Sequence, residues 1–170
     1  MVKVGDLFEI TLTNERCAIG HFVYRDKNNG PFIQVFKYIS DKKDFNIEKA
    51  IHANYMFPPV ITGLGAAIRT GLWQIVGKKT VNDFVYPKFI SAFWDDKTGK
   101  VTNWFLYNGS SYEKLGPILP VEYKNLEYLV VWSPHDIIYR IETGEIPFPY
   151  GDMIKNNRFT PISRLHNNDI

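Results

Sequence analysis

The residues of this chain that are able to do chemistry are few and widely spaced. His21, His52, His135 and His166 fall in separate segments. None forms the i, i+4 pair that sets two imidazoles on one helix face to hold zinc. His21 alternates within a strand pattern and His135 opens a helix pattern, so both read as surface or hydrogen-bonded structural residues. The single cysteine, Cys17, lacks a local catalytic signature and lies near a hairpin turn, where it reads as a small packing residue. There is no Gly-x-Ser-x-Gly elbow. Gly63-Leu64-Gly65 lacks the further glycine of a dinucleotide fingerprint, because Ile68 stands in its place, and no phosphate-binding P-loop is present. Asp95-Asp96 is a carboxylate pair at a hairpin tip, where such residues are normally solvated. The inventory predicts no catalytic set, no metal and no cofactor, hence not an enzyme. An active site assembled from distant residues would instead appear as a cleft with converging titratable groups of shifted pKa.

Nucleic-acid binding asks for basic residues interleaved with exposed aromatics. Arg25, Lys27, Lys37, Lys42 and Lys43 stand near Phe32, Phe36 and Tyr38. Those aromatics belong to the segment with the most buried pattern and read as core. The formal charge of +2 is too balanced to imply a nucleic-acid partner. Its distribution is uneven: residues 1–112 hold 14 Lys and Arg against 10 Asp and Glu, whereas residues 113–148 hold 3 against 6. The acids of the second stretch are Glu113, Glu122, Glu127, Asp136, Glu142 and Glu145.

The elements that must position these residues are mainly strands. Phe8, Ile10 and Leu12 alternate with Glu9, Thr11 and Thr13, the period of a strand with one wet face. A turn at Asn14-Glu15 and a return over Ala18–Tyr24 follow. A second turn over residues 26–31 leads to a more buried strand from Phe32 to Ile39. Three strands so spaced predict an antiparallel meander or the start of a small barrel. Asp44 or Asn46 caps a short helix near 46–54, and residues 63–71 read as a glycine-rich connection or one helical turn. Residues 72–77 form a buried strand. Lys88–Trp94 and Val101–Tyr107 form a hairpin closed by Gly99, and Glu127–Trp132 forms another strand. The best-marked helix starts at Ser133, with Pro134 in its first turn, Asp136 in a capping box and Gly144 as terminator. Pro147 and Pro149 predict that no helix resumes after it. The tail through residues 158–162 reads as an edge segment.

Twelve Phe, ten Tyr and four Trp suit the half-buried surface of a sheet. With 45% hydrophobic residues and no domain boundary or repeat, the expectation is a single domain over residues 1–170. Its fold class is α+β and mainly antiparallel β: a twisted sheet or partly open SH3-like barrel with one C-terminal helix and the short helix near 46–54. A lone cysteine favours a reducing cytosol. The opening residues carry no signal-peptide pattern, and no segment has the ~18 apolar residues that a membrane span needs. The expected location is cytoplasmic.

Two segments resemble a known family. Lys3-Val4-Gly5-Asp6-Leu7-Phe8-Glu9-Ile10, followed by Ala18–Val23, is similar to the start of immunity protein 26 relatives. Gly71-Leu72-Trp73-Gln74-Ile75-Val76-Gly77, with Pro87-Lys88-Phe89 downstream, resembles their glycine, tryptophan and "I-x-G" run. The resemblance covers roughly the first 110 residues. It implies a bacterial protein that neutralises a polymorphic toxin by non-catalytic binding, with the toxin domain, such as a basic nuclease, as its partner. Under that reading, aromatics beside acids are the candidate contacts: Tyr112, Glu113, Tyr123, Glu127 and Tyr128. Gly5, Asp6, Trp73 and Gly77 match the family pattern and are expected to be structural: Asp6 holding a turn, Trp73 filling the core, Gly77 permitting a bend or positive φ. The alternative is an SH3-like barrel that recognises a peptide or nucleic acid.

Overall fold

The computed structural model describes residues 1–161, and the contacts within the chain gather into two compact units. Unit 1 takes Met1–Val85 and Val130–Gly144; unit 2 takes Tyr86–Leu129 and the chain from Glu145 onward.

Unit 1 is built on β1 (Asp6–Thr11), β2 (Arg16–Asp26), β3 (Gly30–Asp41), β4 (Val60–Thr62), β5 (Trp73–Lys78) and β10 (Val131–Trp132). Their order is β10-β4-β3-β2-β1-β5. All neighbours are antiparallel except β10 and β4, which run parallel. The alternation in β1 buries Phe8 and Ile10 as expected, but Leu7 on the opposite face is buried too. The reason is α1 (Ile47–Ile51), whose Ala50 packs with Leu7, Ile19 and Phe36 and so covers part of the face that alternation marks as wet. Asn46 is the cap: its side chain accepts from the Lys49 backbone N–H at 2.9 Å. On the other face Phe8 stacks on Trp73 with ring centroids 5.2 Å apart. This stacking leaves room only for glycine at position 20, where a Cβ would lie 2.2 Å from the Phe8 ring.

The β1–β2 hairpin turns through Asn14 and Glu15, both in the left-handed region at φ 57° and 55°. That is the twist a two-residue hairpin requires, here met without glycine. The connection at 63–71 holds a helix, α2 (Leu64–Arg69). In α3 (Pro134–Thr143) the capping box is complete: Ser133 Oγ accepts from the Asp136 N–H at 3.1 Å, and Asp136 Oδ2 accepts from the Ser133 N–H at 3.1 Å. Gly144 closes the helix at φ 75°.

Unit 2 carries β6 (Phe89–Trp94), β7 (Val101–Tyr107), β8 (Tyr112–Gly116) and β9 (Glu127–Tyr128), in the order β8-β7-β6-β9. The expected β6–β7 hairpin forms, with a bulge between Phe93 and Trp94 and Gly99 at φ 72°. Two expectations fail here. A helix does resume after the prolines, as α4 (Tyr150–Asn156), because Pro149 stands before the first turn, where a missing N–H costs no hydrogen bond. The strand expected over 127–132 is two short strands separated by Leu129-Val130: β9 joins β6 in unit 2, and β10 joins β4 in unit 1. Both sheets are open and mixed and neither closes into a barrel, and the fold is α+β as expected. The tail forms an isolated antiparallel bridge between Arg158 and Lys100; residues from 162 onward, with His166, lie outside the described residues.

Candidate functional site

A concave feature lies in unit 1, where His21, Val23, Gln34 and Phe36 share one face of the β2–β3 ladder. His21 lies opposite Gln34 in register, and the alternation of each strand brings the next member of each pair to the same side. Two walls stand over this floor. One is the loop Ala53-Asn54-Tyr55, whose Tyr55 bridges to Phe36. The other is the run Lys79–Phe84, outside any helix or strand, that leaves β5. Together they enclose a cleft of about 350 Å³.

His21 organises the cleft. It is 1% exposed, and both ring nitrogens are engaged: Nε2 lies 2.9 Å from the Lys79 carbonyl oxygen and Nδ1 lies 2.8 Å from the Tyr55 hydroxyl. A carbonyl only accepts, so Nε2 carries the proton; in the neutral ring Nδ1 then accepts from Tyr55. Burial holds the imidazole below its usual pKa; the Lys79 carbonyl opposes this shift and the Lys79 ammonium adds to it. Burial also raises the Tyr55 hydroxyl. The Phe36 and Tyr55 rings stand 4.7 Å apart and tilted, with His21 stacked on Phe36 at 5.9 Å. Lys79 donates Nζ–H to the Ile51 carbonyl at 2.6 Å and lies 5.6 Å from the Phe36 ring centroid.

This is a cleft with converging titratable groups, but its chemistry is quiet. The imidazole offers no free lone pair, and a tyrosine pushed upward stays protonated and makes a poor nucleophile. Cys17 is buried, and burial raises its thiol pKa, the reverse of an activated cysteine. Asp95 lies in the hairpin turn, where its side chain accepts from the Lys97 and Thr98 N–H groups and from the Thr98 hydroxyl. Among the described residues no group of three or more His, Cys, Asp or Glu is placed to hold a metal ion, and no helix is long and apolar enough to cross a membrane.

The expected contact residues all fall in unit 2, at different depths. Tyr112 is 59% exposed on β8, the outermost strand of its sheet, with its ring tilted against Tyr107 at 4.6 Å and exposed Glu113 next in sequence. Tyr123 is half-buried in the short 3-10 turn Val121–Tyr123. Glu127 and Tyr128 are buried on β9. The Tyr128 oxygen accepts from the Ala92 N–H at 3.0 Å, its ring stacks on Tyr150 at 4.4 Å, and burial pushes its hydroxyl up to about 12. The same face of the sheet as Tyr112 also carries Phe93, 67% exposed, with Phe105 packed against it at 5.0 Å.

The acids of residues 113–148 are largely committed elsewhere. Asp136 closes the α3 cap, Glu142 accepts from the Thr13 hydroxyl at 2.6 Å, Glu145 pairs with Lys155 and Glu127 is buried. Glu113 and Glu122 are exposed.

The four motif residues lie in unit 1. Gly5, at φ +94°, donates its N–H to the Phe22 carbonyl, and a Cβ there would meet the Lys79 carbonyl oxygen at 3.0 Å. Asp6 Oδ2 accepts from the Lys3 N–H at 2.7 Å and so closes the entry turn. Trp73 is 1% exposed in the core. Gly77 has no positive φ; it admits Ile47, whose Cδ1 would lie 2.9 Å from a Cβ at that position. Tyr55, Asn54 and Lys79 were not marked by any motif, because the cleft joins three segments that are distant in sequence. The one available signal was a histidine inside a buried strand pattern.

A family profile described as immunity protein 26 matches residues 3–98, a span that holds every residue lining the cleft. No curated protein matches the chain. No solved structure matches it either.

Proposed function

Because the chain belongs to the immunity protein 26 family, we propose that it neutralises a polymorphic toxin in the cytosol of a bacterium by binding the toxin domain directly, without catalysis. The family match over residues 3–98 carries this reading. Two features of the site support it. The cleft is lined by aromatic and amide groups around a buried histidine that is tied to Tyr55 and to the Lys79 carbonyl. In unit 2, Tyr112 and Glu113 stand exposed on an outer strand, the type of aromatic and charged pair that anchors protein interfaces. Tyr123, half-buried in the turn Val121–Tyr123, is a further contact, and Glu127 and Tyr128, buried on β9, hold that strand in place. Glu113 and Glu122 would face a basic toxin such as a nuclease.

The test is co-expression with the toxin encoded by the neighbouring upstream gene. Growth is rescued and the two proteins co-purify if the reading is right. A chain that neither binds nor protects against that toxin refutes it.

A further inference from the structure

The cleft of unit 1 has features that an immunity role alone does not call for. The run 79–84 is tied at both ends. Lys79 donates its N–H to the Gly5 carbonyl at 2.8 Å and accepts from His21, while Phe84 stacks on Tyr24 at 4.5 Å. Between these ties, Thr80, Val81, Asn82 and Asp83 make no backbone hydrogen bond among the described residues, although they line the cleft wall. A tethered run with unpaired backbone N–H and C=O groups can pair with the backbone of a bound segment. Gln34 of the floor and Asn54 and Asn82 of the walls add side-chain amides with no hydrogen bond among the described residues, each offering both donor and acceptor to a peptide group. Phe36 and a neutral His21 on the floor, with Tyr55 on the wall beside them, make this part of the lining aromatic and uncharged.

Charge narrows the occupant further. Lys79 and Asp83 are the two formally charged residues in the lining and they cancel, and the Lys79 ammonium is already committed to Ile51 and the Phe36 face. The site therefore selects against a strongly charged ligand. A volume of about 350 Å³ lies at the low end of the ~300–1,000 Å³ typical of ligand pockets, enough for one large side chain with its flanking peptide groups.

Resting on the immunity reading, we infer that this cleft receives an extended, uncharged segment of the toxin. Its backbone pairs with residues 80–83, and one apolar or aromatic side chain enters over Phe36 between Tyr55 and Val23. The contact is additional to Tyr112 and Glu113 in unit 2.

Hydrogen–deuterium exchange on the full chain, with and without the toxin domain from the neighbouring gene, tests this. In the complex, amides of residues 80–83 should slow at least tenfold. Asn82→Trp and Asn54→Trp, at exposed positions without side-chain hydrogen bonds, should each fill the cleft and weaken toxin binding at least tenfold while leaving the melting temperature in place. Unchanged exchange at 80–83 in a complex that does form overturns the inference and leaves the immunity reading standing; protection confined to β8 would be such a result. Slowing at 80–83 that depends on protein concentration without toxin would assign the cleft to a second copy and also overturn it. If the wild-type chain does not bind the toxin at all, the immunity reading fails and the inference falls with it. Should either tryptophan variant fail to fold, the exchange measurement on the wild-type chain decides alone.

Discussion

Acidification should weaken unit 1 through His21. The buried imidazole is held below its usual pKa, with the Tyr55 hydroxyl, the Lys79 carbonyl and the Lys79 ammonium as the polar groups that face it. In the unfolded chain the same ring titrates near 6.5. Between that value and the lower folded one, the unfolded state binds more protons, so stability rises with pH and is lost as pH falls below about 6.5. One proton difference is worth at most ~1.4 kcal/mol per pH unit. From pH 7.5 to 5.5 the ceiling for His21 is therefore ~1.4 kcal/mol, reached if the folded ring binds no proton over that range. With a urea slope of ~2 kcal/mol/M, this corresponds to a midpoint shift of ~0.7 M. The assay is urea unfolding of the wild type and of His21→Gln at pH 7.5, 6.5 and 5.5. The variant removes the titrating group, so the difference between the two pH dependences isolates it from the carboxylates. The wild-type midpoint should fall further than the variant's by up to ~0.7 M; parallel falls would show that His21 does not stay neutral in the folded chain.

Other expectations are direct. Gly20→Ala should destabilise by ~1–3 kcal/mol in urea unfolding, because Phe8 is fully buried against Trp73 and has no room to yield; an unchanged midpoint would contradict the packing. Glu15→Gly should stabilise by ~1 kcal/mol, since it relieves a left-handed residue that carries a Cβ, and a loss of stability in the same assay would mean that Glu15 is held by something beyond its turn. Asn157→Ala should cost ~2–3 kcal/mol: it removes the acceptor of the Trp104 indole N–H at 2.7 Å and the donor to the Pro117 carbonyl at 2.9 Å, at a left-handed residue. Calorimetry showing an unshifted transition would rule that out. Tyr112→Ala should weaken toxin binding about tenfold, ~1.4 kcal/mol, and equal affinities in a titration would remove Tyr112 from the contact.

What could be read from the chain alone was local. Alternation located β1 to β3, turn chemistry located the β6–β7 hairpin, and the sequence Ser133-Pro134-His135-Asp136 marked α3, because each of these signals is complete within a dozen residues. What escaped was whatever depends on a distant partner. Leu7 is buried only because α1 returns over it. β8 has no distinctive alternation and exists as a strand because β7 offers it a ladder. Glu127-Tyr128 and Val131-Trp132 look like one strand until the registers with β6 and β4 separate them. The cleft was illegible for the same reason: His21 carries its signature only once Tyr55 and Lys79 arrive from 34 and 58 positions away. The acids of 113–148 are neighbours in sequence, yet four of the six serve a cap, a hairpin anchor, an ion pair and a buried site, and Glu113 and Glu122 are exposed.

The interleaving of the two units bears on how the protein is made. β4, three residues long, receives its outer neighbour β10 only when residues 131–132 are synthesised, after most of unit 2 has emerged. At ~5–20 residues per second, the ribosome takes ~3–14 seconds to travel from β4 to β10. Throughout that interval the first sheet carries an open edge at Val60-Ile61-Thr62, bounded by Pro58 and Pro59 on one side and Gly63 on the other. Short length and flanking prolines are the means by which strand edges resist pairing with other chains. The nascent chain thus carries, beside its slowest-closing edge, the residues that keep that edge from being taken by a neighbour.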